Sequence, residues 1–258
     1  MADGEHGAAA GMERPTELWG GQLIGRAPLS RRERWWRSVR ETPCAVLLAV
    51  QLLGVLVYPF LADASVGQWQ GFGRSMLGLF GLAVLFLAVW AVRNTPALTW
   101  VAILLGLPVV FFTILEGFVP DNEQVTLWSS VLHALFYLYT AYGLIRYMFN
   151  DNWVTRDELF ATGAAFTVVA WGFAYIYAVI QIVWPQSFSA YENAEQPRTW
   201  LELLFMSFTT LTSVGLSDIG PIRPHARSVI MIEQVGGVMY VALVISRLVG
   251  LTIARFRR

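Results

Sequence analysis

Long runs of apolar residues alternate with short polar segments along this chain. A helix needs roughly 20 apolar residues to cross the hydrocarbon core of a bilayer, and six runs reach about that length. They predict transmembrane helices at Cys44–Ala62, Ser75–Val92, Pro96–Phe118, Val125–Phe149, Glu158–Trp184 and Arg227–Ala254. We therefore expect an all-α membrane protein with six transmembrane helices.

The composition agrees with this pattern. Hydrophobic residues make up 56% of the 258 residues and charged residues only 14%, with a mean hydropathy of +0.52. So little charged surface excludes a water-soluble globule of this size. The net charge is zero and Cys44 is the one cysteine, so the sequence indicates no polyanion partner, no intrachain disulfide and no cysteine-based zinc site.

The arginines predict the orientation of the helices, because cytoplasmic loops carry an excess of basic residues. Seven arginines lie in the N-terminal tail and three at the C-terminal end, whereas alternate loops carry mainly acidic residues. We expect both termini in the cytoplasm and a multi-pass protein of the plasma (inner) membrane. The expected regions are a cytoplasmic tail (1–43), a four-helix transmembrane domain (44–157) and a domain with the last two spans (158–258).

The tail contains a basic aromatic segment, RAPLSRRERWWRSVR, at Arg26–Arg40. Interleaved arginine and tryptophan residues are typical of an amphipathic helix that lies on the anionic inner leaflet. Lipid contacts are then expected from Arg31, Arg32, Trp35 and Trp36. The same arginine cluster also serves as a plain topology signal, and both interpretations stay open.

One segment between spans, Pro185–Ala226, is long enough to contain further structure. Thr199 and Glu202 form a capping-box pattern that predicts the start of a short helix. This helix continues through LLFMSFTTL, which is apolar but only about half as long as a span, and such a run is more often re-entrant or buried. Non-helical backbone after it, at membrane depth, is tolerated only where it is buried in protein or lines a water-filled cavity.

The stretch that follows, TLTSVGLSD at Thr210–Asp218, resembles the filter signature TxTTVGYGD of the tetrameric potassium-channel superfamily. Two positions depart from that signature: Leu216 replaces an aromatic residue and Ser217 replaces the second glycine. The resemblance covers Glu158–Arg258. It implies an ion-channel pore domain with a re-entrant pore helix and a selectivity-filter loop between helices five and six. With one pore loop per chain, it also implies a homotetramer.

In such a filter, rings of backbone carbonyls replace the water shell of a potassium ion. The resemblance implies an ion-binding segment that starts at Thr212 and ends at Ser217, with K⁺ at the carbonyls of Ser213, Val214, Gly215 and Leu216. The Ser213 hydroxyl is expected to close the inner ring, and no cofactor is expected besides the permeant ion. A non-glycine residue with positive φ costs about 1–2 kcal/mol, so at Ser217 either the outer filter backbone is rearranged or this strain is tolerated. Thr210 and Asp218 are expected to support the filter and its mouth.

The last helix carries features of a gate. Each glycine of the pair Gly236-Gly237 costs roughly 1 kcal/mol in a helix, which indicates either a hinge or close helix packing. Below the pair, Val238, Val241, Ile245 and Val249 share one face, and an apolar ring there could close a pore by dewetting.

Glu233 lies one turn before the glycines, at mid-membrane depth, where an unpaired carboxylate is costly. We therefore expect it to face protein behind the filter, with Thr210 or Ser217 as its partner.

The first four predicted helices lack the arginine ladder of a voltage sensor. Val125–Phe149 contains only His133 in its middle and Arg146 at its inner end, so weak voltage dependence is expected. His133 is predicted to be a hydrogen-bonded interior residue.

The leading interpretation is a potassium-permeable cation channel and not an enzyme. A non-selective monovalent cation channel shares the whole architecture, and the residues at 216 and 217 keep that alternative open. A membrane enzyme or scaffold is a further alternative, although three histidines, one cysteine and no carboxylate cluster give it no catalytic machinery.

Overall fold

The computed structural model describes residues 42–64, 96–119, 122–149, 156–191 and 194–256, together with several helical residues between 80 and 90. In the described ranges the elements are α1 (Pro43–Ala64), α2 (Pro96–Phe118), α3 (Glu123–Met148), α4 (Arg156–Val183), β1 (Phe188–Ala190), α5 (Trp200–Leu211), β2 (Ile219–Pro221) and α6 (Pro224–Phe256). The predicted all-α fold is therefore confirmed for this part of the chain, apart from one small sheet.

Four of the described helices are long and apolar enough to cross a bilayer: Pro43–Phe60, Trp100–Phe118, Asp157–Val183 and Pro224–Arg247. Each coincides with a predicted span. This confirms the prediction of a membrane protein. The sequence predicted six spans, and four of them are found among the described residues.

The other two predicted spans have different outcomes. Most of Ser75–Val92 lies outside the described residues, as does the basic segment Arg26–Arg40. Val125–Phe149 is helical as α3, whose 26 residues extend about 39 Å, but its serine, threonine, histidine and tyrosine residues lower its hydropathy. Six transmembrane helices therefore stay a prediction.

The largest buried cluster holds α4 against α1 and α3. Small residues of α4, among them Ala161, Ala164 and Ala165, are fully buried beside Phe136 and Leu144 of α3. Small side chains allow membrane helices to approach closely. The helix α4 is thus packed against both α1 and α3.

A second buried cluster surrounds α5. Tyr177 and Ile180 of α4 pack with Leu203 and Met206 of α5, and Ile230 of α6 closes the cluster. The short helix therefore lies between the two long helices that precede and follow it in the chain.

The two strands join the chain before α5 to the chain after it. They pair antiparallel, with Phe188 opposite Pro221 and Ala190 opposite Ile219, and the Ile222 N–H donates to the Ser187 carbonyl at 2.8 Å. The sequence pattern did not predict this sheet, because three residues are too few to show the alternation typical of a strand. The sheet holds both ends of the segment 188–221 together.

Candidate ion-conduction site

The helix α5 begins at a complete capping box, as predicted. The Thr199 N–H donates to Glu202 Oε2 at 2.6 Å, and the Glu202 N–H donates to Thr199 Oγ1 at 3.4 Å. The helix has 12 residues and is about 18 Å long, which is too short to cross a bilayer. The predicted short apolar helix is therefore confirmed, and the cap at Thr199 fixes the residue at which it begins.

The chain leaves α5 through a Schellman motif. The Val214 N–H donates to the Thr209 carbonyl at 3.0 Å, and the Ser213 N–H donates to the Thr210 carbonyl at 2.9 Å. This pattern requires a left-handed residue just past the helix, usually glycine. Here that residue is Ser213, with φ of 58°.

The backbone strain lies at a position that the sequence did not indicate. Either a rearranged backbone or tolerated strain was expected at Ser217, and the left-handed residues of this segment are instead Ser213 and Gly215, with φ of 58° and 65°. The physical reason is that the helix cap needs a left-handed residue at 213, whereas Ser217 accepts the Ile219 N–H on its own hydroxyl at 3.1 Å. The cost of about 1–2 kcal/mol for a non-glycine residue with positive φ therefore falls on Ser213.

Backbone carbonyls of this segment are available to a ligand. In the part of the chain that the structure describes, the carbonyls of Ser213, Val214 and Leu216 accept no hydrogen bond. The Gly215 carbonyl accepts the Ser217 N–H at 3.1 Å and keeps a second lone pair. Unpaired carbonyl oxygens on successive exposed residues are ligands that suit a dehydrated monovalent cation.

The same segment exposes apolar side chains. Val214 is 68% exposed and Leu216 is 73% exposed in the single chain. Leu216, Ser217 and Asp218 also line an apolar groove beside Leu201 and Phe205 of α5. Exposed apolar surface of this kind usually marks an interaction site.

Asp218 was expected to hold the segment against α5. It is exposed, and in the described part of the single chain it forms no hydrogen bond with α5. Its supporting role stays a prediction.

Glu233 is fully buried and faces protein, as predicted, but its partners differ from the expected ones. Tyr177 of α4 donates a hydrogen bond to Glu233 Oε2, and Ser207 of α5 is hydrogen-bonded to Oε1. Thr210 interacts with the Tyr177 phenol and so reaches Glu233 only indirectly. Ser217 forms no hydrogen bond with Glu233 among the described residues, and its hydroxyl instead accepts the Ile219 N–H.

Tyr177 and Ser207 are site residues that the sequence did not single out. Tyr177 lies in a span with several other aromatic residues, so the sequence gives no reason to choose it as a site residue. Ser207 does carry one, because a hydroxyl inside an apolar helix needs a hydrogen-bond partner. Its second contact, to the Ala170 carbonyl at 2.9 Å, could not have been inferred from spacing.

The two glycines of α6 have different surroundings. A Cβ added to Gly237 would lie 1.9 Å from the Leu211 carbonyl oxygen, whereas a Cβ added to Gly236 would meet nothing within 4 Å. The helix α6 is continuous from Pro224 to Phe256. Close packing of α6 on the end of α5 therefore requires Gly237, and a hinge at the pair stays a prediction.

The predicted apolar face of α6 is exposed in the single chain. Val238, Val241, Ile245 and Val249 are between 44% and 58% exposed. Toward the C-terminal end of α6, Arg247 forms an ion pair with Glu158 at 3.6 Å, and its guanidinium lies over the Phe149 ring. This pair connects the end of α6 to the start of α4.

His133 is an interior residue of the helices before α4, as predicted. It is 6% exposed, its Nδ1 lies 2.8 Å from the Ser129 carbonyl, and its ring stacks on Tyr175 at 4.5 Å. These contacts give it a structural role in the packing of α3 on α4.

Comparison with known proteins supports the class of this molecule. Residues 163–253 match the model of a protein family described as "Ion channel", and the match includes α5, the segment 212–218 and most of α4 and α6. Apolar spans and this match together define a membrane protein with an ion-channel domain. Searches among curated proteins and among solved structures give no match.

This match supports the resemblance to the potassium-channel superfamily seen in the sequence. The match does not test the departures from the filter signature at Leu216 and Ser217.

Proposed function

We propose that this protein is a potassium-permeable cation channel that conducts K⁺ passively through a homotetrameric pore. The observation that carries the proposal is the segment after α5. There a helix too short to span ends in an exposed stretch in which the carbonyls of Ser213, Val214 and Leu216 have no partner in the described part of the chain, inside the region that matches an ion-channel family.

Four copies are proposed because the described residues of each chain contain one such segment. A cyclic arrangement would close the carbonyl ring. It would also cover Val214 and Leu216, which are largely exposed in the single chain. The exposed valine and isoleucine face of α6 would line the pore on the cytoplasmic side of the carbonyl ring.

The proposed potassium ligands are the carbonyls of Ser213, Val214, Gly215 and Leu216. The Gly215 carbonyl can bind an ion with its second lone pair while it accepts the Ser217 N–H. A carbonyl shared in this way is a weaker ligand than one used by the ion alone. The outer part of the filter is therefore expected to discriminate less strongly than the inner part.

A non-selective monovalent cation channel is the second candidate. It is favoured by the compact turn from Gly215 to Ser217 and by the side chain of Leu216, which offers no hydroxyl to tie the filter to α5. A membrane enzyme or scaffold has no comparable observation in its favour.

Reversal potentials across liposomes with purified protein test the proposal, with K⁺ on one side and Na⁺ on the other. A tenfold preference corresponds to about 1.4 kcal/mol and gives a clear potential. A potential near zero, with flux present, would promote the non-selective channel.

A matched pair of glycine variants tests whether the flux uses this segment. Gly215→Ala should lower it, because φ at Gly215 is 65° and a non-glycine residue in that region costs about 1–2 kcal/mol. Gly220→Ala is the control, because its Cβ would meet nothing within 4 Å. Equal flux from both variants would mean that ions take another path.

A further inference from the structure

The hydroxyl of Ser207 lies at the centre of a hydrogen-bonded chain that joins three helices. It is 2.9 Å from the Ala170 carbonyl of α4 and is hydrogen-bonded to Glu233 Oε1 of α6. The other carboxyl oxygen of Glu233 accepts from Tyr177 of α4. Ser207 and Glu233 are both fully buried.

The number of protons available to these hydrogen bonds identifies the protonation state of Glu233. A serine hydroxyl has one proton to donate, and a backbone carbonyl can only accept. If Ser207 donates to Ala170, the hydrogen bond between Ser207 and Glu233 needs a proton from the carboxyl group. A charged Glu233 would instead leave one of the two Ser207 contacts without a proton.

The surroundings of Glu233 favour the neutral form. From α4, the titratable group that faces Glu233 is the Tyr177 phenol. From α5, the Ser207 hydroxyl contacts Glu233, whereas Thr210 contacts the Tyr177 phenol. The ion pairs of the described residues lie elsewhere, at Arg198–Glu202 and Arg247–Glu158. A buried carboxylate without a cation is strongly disfavoured.

We infer that Glu233 is a protonated carboxylic acid and that Tyr177, Ser207 and Glu233 are positioning residues for the selectivity filter. The second part rests on the proposed channel function. The Glu233 proton fixes Ser207 between α4 and α6, and Ser207 lies one and a half turns before the residue where the filter begins. The three side chains therefore set the position of α5 and of the carbonyls that follow it.

The state of the proton can be measured without any ion flux. Infrared difference spectroscopy of the unmodified protein against Glu233→Gln, both in lipid, should show the carbonyl band of a buried carboxylic acid. This band should persist at neutral pH and disappear as alkaline pH is reached. A carboxylate band in its place at neutral pH would overturn the inference, even if the protein proved not to be a channel.

The positioning role is tested by the potassium-to-sodium permeability ratio of variants. Glutamine can donate to Ser207 and accept from Tyr177, so Glu233→Gln should keep the ratio within about twofold. Ser207→Ala and Tyr177→Phe each lose a buried hydrogen bond, and a loss of about fivefold in the ratio corresponds to a typical bond of roughly 1 kcal/mol. Ser228→Ala and Tyr142→Phe are matched controls, since both residues are exposed.

The pH profile separates this role from simple packing. The ratio of the unmodified channel should fall at alkaline pH, where the carboxyl group loses its proton, and the ratio of Glu233→Gln should not. If Glu233→Gln lowers the ratio as strongly as Glu233→Ala, or keeps the alkaline loss, the positioning role of the proton is refuted.

Discussion

Alanine at Gly237 should force the end of α5 away from α6. The new Cβ would lie 1.9 Å from the Leu211 oxygen, 2.8 Å from its carbonyl carbon and 3.1 Å from its Cα. Real Cβ contacts stay beyond 3.0 Å, so the two backbones must separate by at least about 1 Å in a close-packed interior. All three atoms belong to the backbone, so no rotation of a side chain can relieve the contact.

The expected cost follows from two opposed effects. Overpacking of this kind costs about 1–3 kcal/mol per chain, and replacing glycine in a helix returns up to about 1 kcal/mol. Gly237→Ala should therefore destabilise the protein. Gly236→Ala meets nothing within 4 Å and should stabilise it by up to about 1 kcal/mol.

The assay compares both variants in thermal unfolding in detergent and in potassium flux into liposomes. Gly237→Ala should unfold at lower temperature and lose potassium preference, because Leu211 directly precedes the proposed filter. A hinge at the pair predicts instead that each variant lowers the open probability without loss of stability. If Gly237→Ala unfolds at the same temperature as Gly236→Ala, the packing argument is refuted.

Three further predictions concern assembly, voltage and the filter. Native mass measurement of detergent-purified protein should give a tetramer, and a species that stops at a dimer would contradict the proposed pore. Conductance should change little with voltage, because α3 has no arginine ladder; activation equivalent to several charges per subunit would contradict this. Leu216→Tyr combined with Ser217→Gly should raise the potassium preference, and Ser213→Ala should lower ion occupancy at the inner ring, both measured by reversal potential and ion binding.

The short helix could be predicted from sequence because its signals are local. The capping box of Thr199 and Glu202 uses residues three apart, and the length of the apolar run directly limits the helix. The burial of Glu233 was also predictable, since a carboxyl group in a span must face protein.

The partners of that carboxyl group could not be predicted. Tyr177 is 56 residues away in sequence and Ser207 is 26, and only the packing of three helices brings them together. The strain at Ser213 was missed for a different reason. A filter signature specifies side chains, whereas the left-handed residue is set by the way α5 ends.

The pairing of β1 with β2 brings the two ends of residues 188–221 together, in addition to the packing of α5 against α4 and α6. Because both ends leave the same small sheet, the distance that the flanking helices must bridge does not depend on the length of the chain between the two strands. The pairing of β1 with β2 offsets the entropy cost of holding the two ends of this segment together. A chimaera cut at 187 and 222 would therefore transfer α5, its cap and the proposed filter as one unit.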